Sequence, residues 1–156
     1  LVHAGAHSMD IMRMEKGYLH WGHDISPAET PYESGLGFAV KLNKKCDFVG
    51  KEYLTKNRKD RKKKLLMFTL NDSTPGNPLL LHDEPIYYDG KIVGETTSGN
   101  YSFNYNKNLT FGYIDSKLDI NTINLSLFEI EVAKNKYKLT IIYKPLHDSE
   151  NKFIKS

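Results

Sequence analysis

Residues Ile86-Tyr87-Tyr88-Asp89-Gly90-Lys91-Ile92-Val93 constrain the fold of this chain more than any other stretch. Two runs rich in aromatic and β-branched residues flank Asp-Gly, the dipeptide that most readily takes the paired positive φ values of a type I′ hairpin turn. A lone hairpin is marginal in water and needs further strands beside it. The sequence supplies them: Leu66, Phe68 and Leu70 make one alternating face, as do Phe128, Ile130 and Val132, then Tyr137, Leu139, Ile141 and Tyr143 after a turn at Lys134-Asn135-Lys136. Short strands at regular spacing, without helical sequence between them, predict a small antiparallel barrel or sandwich.

The first third reads differently. Val2, Ala6 and Met9 recur at helical spacing and predict the tail of a helix ending near Asp10. From Ile11 to Glu15 apolar and charged residues alternate, which predicts a strand with Arg13 and Glu15 on one face, closed by Gly17. Pro27, Pro31, Gly35 and Gly37 make Asp24 to Gly37 a loop, and Phe38, Val40 and Leu42 predict a second strand. Asp47 is placed to cap a short helix from Phe48 to about Asn57. The basic run Lys56 to Lys64 follows, and a domain boundary inside it divides the chain into 1–57 and 58–156. The expected class is therefore α+β: a mixed segment, then an antiparallel β-barrel-like domain.

Composition narrows the function classes. Hydrophobic residues at 39% and charged residues at 26% are globular values, and ten tyrosines with seven phenylalanines favour a sheet. A net charge of +3, its excess gathered in the one basic run, does not describe a nucleic-acid surface. Cys46 alone allows no internal disulfide and no cysteine-based zinc site. No apolar stretch has the length of a membrane span and nothing reads as a signal peptide, so no membrane is expected; the reading is soluble and cytoplasmic, or mitochondrial matrix in a eukaryote. The chain opens at Leu1, without a methionine, close to helix-like sequence, which suggests a piece of a longer polypeptide.

Catalytic constellations are scarce. There is no phosphate-cradling glycine loop and no nucleophile elbow. His20-Trp21-Gly22-His23 invites a metal reading, but two histidines three apart without a cysteine fit a structural role better. Arg13 and Glu15 either join an ion-pair network with Asp24 and Glu33 or wall a polar pocket.

Several ordered segments resemble the glycine-cleavage T-protein family. Arg13-Met14-Glu15-Lys16-Gly17, running to Gly22-His23-Asp24, looks like its Arg-x-Glu-x-Gly segment, and Thr30 to Phe38 and Asp47 to Glu52 match the two signatures that follow. Asp89 to Gly99 and Phe111-Gly112-Tyr113 are similar to the C-terminal domain. His20 to Asp24, with Glu84-Pro85-Ile86-Tyr87, tilts the likeness toward the sarcosine and dimethylglycine dehydrogenases. The resemblance implies a parent protein that oxidises a small N-methylated amine with FAD and passes the one-carbon unit to tetrahydrofolate. This chain would hold one side of the folate pocket and contain neither the catalytic aspartate nor an FAD-binding region, the other side coming from an N-terminal half or a partner subunit.

Carried over by position, Tyr18 and Phe38 stand where family aromatics approach the ligand, Arg13 and Glu15 match the Arg-x-Glu pair, and Tyr101 and His147 border the opening. Where T proteins often carry an arginine before the aspartate, Met9 precedes Asp10. An iron–sulfur assembly factor of the same superfamily would have a cysteine at Asp47, and Cys46 lies one residue early. An aminomethyltransferase, or a non-catalytic assembly or interaction domain, is the alternative reading. The basic run is a solvated linker or an attractor for a polyglutamyl folate tail.

Overall fold

The computed structural model describes residues 3–155. Its centre is a closed antiparallel barrel of six strands: β1 Lys63–Leu70, β2 Pro85–Tyr88, β3 Lys91–Ser102, β4 Lys107–Asp115, β5 Phe128–Val132 and β6 Asn135–Ile142. The order around the barrel is β1-β4-β3-β2-β5-β6, and closure comes from β1 pairing with β6, Phe68 opposite Ile141. Closure leaves no sheet edge unpaired.

Period-two alternation explains the strands. Along β1, Phe68 and Leu70 are buried inside with Ile86, Ile114, Phe128, Ile130 and Leu139, and Leu66 packs against that cluster. Leu65 and Met67, the intervening residues, belong instead to a second cluster on the outer wall. Asp89 and Gly90 make the β2–β3 turn with φ of 48° and 75°, as the Asp-Gly dipeptide predicts. The β5–β6 turn falls one residue earlier than the sequence suggests, with Ala133 and Lys134 at positive φ, and Tyr143 lies beyond β6 and is exposed.

The segment before the barrel corrects three expectations. Ile11–Glu15 is no strand: α1 runs Ala6–Glu15, so Arg13 and Glu15 do not share a strand face. Ile11 and Met14, three apart, pack with Met67, Leu109 and Phe111 on the barrel's outer wall, while Met9 and Met12 are exposed. Long unbranched Met, Arg, Lys and Glu side chains favour helix, and that preference with the i, i+3 contact outweighs the alternation. Val2, counted toward the expected helix, lies outside the described residues.

Phe38, Val40 and Leu42 likewise form no strand; a 3₁₀ turn covers Leu36–Ala39 and leads into irregular chain. The helix expected over 48–57 is the shorter α2, Lys51–Lys56. Gly50, at φ 88°, stands at its N-cap, and Asp47 reaches it only as a long ion pair with Lys51 at 4.0 Å. Among the described residues no helix is long and apolar enough to cross a membrane.

Candidate functional site

The site grows from the end of α1. Gly17, at φ 76°, lets the chain leave the helix, with Gly17 N–H donating to the Met14 carbonyl at 2.9 Å and Tyr18 N–H to the Arg13 carbonyl at 2.8 Å. The chain then folds into a tight loop in which the Asp24 carboxylate accepts the His20 N–H at 2.8 Å. Asp24 is fully buried and holds more than its own loop. It accepts the Thr97 hydroxyl at 2.6 Å and the Ser98 hydroxyl at 2.7 Å, both from β3, and it pairs with Arg13. The Tyr113 hydroxyl donates to its carbonyl at 2.9 Å. Burial, with Glu29, Asp24 and Glu33 nearby, pushes that phenol up, so it stays a proton donor.

Arg13 is held by these contacts. Nε and Nη2 bind Asp10 at 2.9 and 2.8 Å, Nη2 also donates to the Ser98 hydroxyl at 2.7 Å, and Nη1 donates to Asp24 and to the Tyr18 carbonyl. Four of its five N–H groups donate hydrogen bonds within the protein, and Nη2 also pairs with Asp10, so its charge is spent on the hub. Glu15 is buried and accepts from the Ser102 hydroxyl at 2.6 Å and the Asn104 amide at 3.0 Å. Both side chains of the Arg-x-Glu pair therefore rivet α1 to β3 and the turn that follows it.

Two hollows flank this hub. The first, of about 580 Å³, lies between α1, the loop at His20–His23, the β1–β2 connection at Leu79–His82 and the Thr97–Asn100 stretch of β3. Its walls are largely apolar: Met9, Trp21, Leu79 and Leu81 are all exposed there, Trp21 by 65%. The second, of about 460 Å³, is walled by Tyr18, Phe38, Ile25, Leu36 and Pro145. Leu19 borders both.

Of the six residues singled out from sequence, then, Tyr18 and Phe38 meet at the second hollow, and Phe38 is 75% exposed. Arg13 forms part of the first, with Glu15 buried behind it. Tyr101 sets its ring edge-on to Phe103, and His147 stacks on Phe153; neither lines either hollow. The basic run lies apart from both, with Lys63 bound to Glu29 at 2.7 Å, Lys56 to Glu52 at 2.6 Å and Lys64 to the Leu118 carbonyl.

Sequence reasoning did not single out Leu79, Leu81, His82 or Asn100. A signal exists for the leucines: an apolar triplet in a connection, with Leu80 buried and its two neighbours exposed, marks a wall open on one side. Among the described residues no group of three His, Cys, Asp or Glu side chains is arranged to hold a metal ion.

The comparisons with known proteins bear on this arrangement. Residues 63–148 match the model of the glycine cleavage T-protein C-terminal barrel domain, and residues 1–44 that of the GCVT N-terminal domain. The chain belongs to the glycine cleavage T-protein family. Within it, human mitochondrial dimethylglycine dehydrogenase is 38% identical over 146 residues, which cover 91% of this chain and 16% of that protein. An aminomethyltransferase from Synechocystis is 32% identical over 148 residues, 95% of this chain and 38% of that protein. The solved structure of the glycine cleavage system aminomethyltransferase T from Bartonella henselae has the same fold, with a TM-score of 0.76 at 20% identity over 91% of this chain and 38% of that one. This T-protein-family chain thus spans about a sixth of the length of its dehydrogenase relatives.

Proposed function

We propose that this chain forms one side of a tetrahydrofolate site in a protein of the sarcosine and dimethylglycine dehydrogenase branch. In that reading an FAD-dependent part of the protein oxidises a small N-methylated amine, and the released one-carbon unit is taken up by the folate. Residues 1–57 act as the C-terminal part of the folate-binding domain and 58–156 as the barrel that closes it.

The observation that carries the reading is the first hollow. Tetrahydrofolate is an amphiphile, with flat pterin and aminobenzoyl groups followed by a glutamate. A cleft of about 580 Å³ with an indole and aliphatic walls, held on a rigid hub of buried hydrogen bonds, suits a ligand of that kind. Flat rings gain from packing on Trp21, while the histidines offer polar partners. In this reading FAD is held by another part of the parent protein.

The test is calorimetric binding of 5-formyltetrahydrofolate to the complete gene product. Trp21→Ala is expected to weaken binding by about 1–3 kcal/mol through lost aromatic packing, with the melting temperature unchanged because the ring is exposed. Phe38→Ala is the companion variant: a loss there alone moves the ligand to the second hollow, and no loss in either variant overturns the site. The 156-residue chain by itself is expected to turn over neither amine nor folate.

A second reading, an aminomethyltransferase, is favoured by the Synechocystis relative, which the chain matches over 95% of its length. Amine-dependent reduction of an electron acceptor by the complete gene product separates the two.

A further inference from the structure

The first hollow holds an unusual gathering of imidazoles. The His20 and His23 rings lie 4.6 Å apart between centroids, tilted by 40°, and His82, from a connection some sixty residues away, brings its ring to 6.4 Å from His23. All three line the hollow together with His7 of α1. The His20 and His23 rings have no hydrogen-bond partner among the described residues, and the His82 Nδ1 lies 2.7 Å from the Asp83 carboxylate.

Among the described residues that line the hollow, the histidines, His7 included, are the side chains left to meet an anion. Among the described residues no lysine lines the hollow, and Arg13, the permanent cation there, is tied to Asp10, Asp24, Ser98 and the Tyr18 carbonyl. Met9 stands exposed at the rim and brings no charge. The acidic neighbours are occupied too. Asp10 and Asp24 serve Arg13, Asp83 sits beside His82, and Glu84 accepts the Leu81 N–H at 2.8 Å.

We propose that His20, His23 and His82 form the anion-binding pole of this hollow, taking the carboxylate of an aromatic ligand whose rings pack on Trp21 and the leucines. The proposal deepens the folate reading and rests on it for the ligand's identity: the glutamate carboxylates are the permanent charges of tetrahydrofolate. Two protonated imidazoles this close repel each other, and a carboxylate between them removes that cost and adds charge-assisted hydrogen bonds. Binding therefore draws protons onto the cluster, and by linkage a lower pH tightens binding. The ligand's carboxylates stay ionised across about pH 6 to 8, so a dependence in that range belongs to the protein.

The experiment measures the affinity of the complete gene product for two probes, 5-formyltetrahydrofolate and p-aminobenzoylglutamate, at about pH 6 and about pH 8. Binding is expected to be about tenfold tighter at the lower pH, the size of one charge-assisted hydrogen bond. The triple variant His20→Gln/His23→Gln/His82→Gln, with all three side chains exposed, is expected to keep its melting temperature and bind at both pH values as the unaltered protein does at the higher. Folate binding without a pH slope, or a slope that survives in the variant, overturns the imidazole pole and leaves the folate reading standing. If only p-aminobenzoylglutamate binds, with the slope, the pole stands and the folate reading falls. Binding of neither probe at the lower pH overturns the pole.

Discussion

The barrel and the segment before it are stabilised by different means. The barrel closes on itself, and Phe68, Ile86, Phe128 and Ile130 are fully buried within it, with the Phe68 and Phe128 rings 6.0 Å apart. Residues 3–62 have no such interior. Met14 is their one fully buried large apolar side chain, and it is buried against the barrel wall, whereas Trp21, Phe38, Val49 and Tyr53 face outward. Polar rivets hold the segment in place instead: Arg13 and Asp24 on Ser98, Glu15 on Ser102, and Lys16 on Asp148 at 3.0 Å. The barrel pairs its few buried polar side chains internally, as Thr110 does with the Ser98 carbonyl, and needs no partner beyond itself. A riveted segment fixes a few side chains accurately while leaving its aromatics free for something else to cover, which suits a ligand site.

The severest test of that contrast lies in the barrel. Phe128→Ala should destabilise it by about 3–5 kcal/mol, a large share of the roughly 5–15 kcal/mol that holds an ordinary domain folded. Gly94→Ala should do comparable harm for a different reason, since a Cβ there would stand 1.8 Å from the Tyr113 carbonyl oxygen across the β3–β4 pairing. Thermal melts of either variant with an unchanged midpoint would contradict a self-contained core.

Next in size is the rivet. Asp24→Ala leaves Arg13 with lost partners beneath a packed surface, a change expected to cost about 3 kcal/mol. Hydrogen exchange decides where the cost falls. The α1 amides and the loop at 20–25 should lose protection while those of β4 keep theirs. Equal loss in both would mean that segment and barrel unfold as one unit, and the contrast would dissolve.

These two regions also differ in how far sequence foretold them. Strands β1, β5 and β6 announced themselves because each has one face in a core and one outside it, so burial writes period two directly into Phe68-Leu70, Phe128-Ile130-Val132 and Leu139-Ile141. The segment's order comes from partners far away in the chain. Ser98 is 85 residues from Arg13, and Ser102 is 87 from Glu15, so no local pattern points to either contact. Alternation over Ile11–Glu15 was misleading because five residues fit both periods, and only the barrel wall selects Ile11 and Met14 as the buried pair. Phe38 deceived in the same way: an exposed aromatic in a glycine-rich stretch looks like a strand face until its surroundings are known. The site shares this division. Tyr18 and Phe38 were legible as neighbours, whereas His82 joins His23 only through the fold.

A smaller effect is expected at the turn that sequence identified best. Gly90 has φ of 75° and open space where a Cβ would go, so Gly90→Ala carries a conformational cost alone, about 1 kcal/mol. A denaturation midpoint that does not move would remove the turn from the barrel's determinants.

The smallest effect is expected from acid, and it falls on the seam between the two regions. Glu33 sits there, accepting N–H bonds from Thr30 at 2.9 Å and from Lys62 at 3.0 Å, while its own carbonyl receives the Leu65 N–H of β1 at 2.9 Å. Burial pushes its carboxyl up, but the Thr30 and Lys62 N–H groups and the Thr30 hydroxyl outweigh burial and hold it below the ordinary 4.5. Glu29 behaves alike, with burial opposed by Lys63 and Ser26, and so does Asp148, with burial opposed by Lys16 and the N–H groups of Phe153 and Lys152. A carboxyl whose pKa is lower in the folded state adds stability that is fully present above its unfolded value, and that stability disappears as pH falls through the folded value. The seam should therefore loosen below about pH 4.5 while the apolar core, with nothing to protonate, persists. Trp21 is the chain's single tryptophan and belongs to the segment, so its fluorescence follows the seam while far-ultraviolet dichroism follows the strands. The fluorescence transition is expected at the higher pH, and Glu33→Gln should weaken the acid dependence of the gap between the two. Coincident transitions would show that protonating the seam carries the barrel with it, and that the rivets matter to both regions alike.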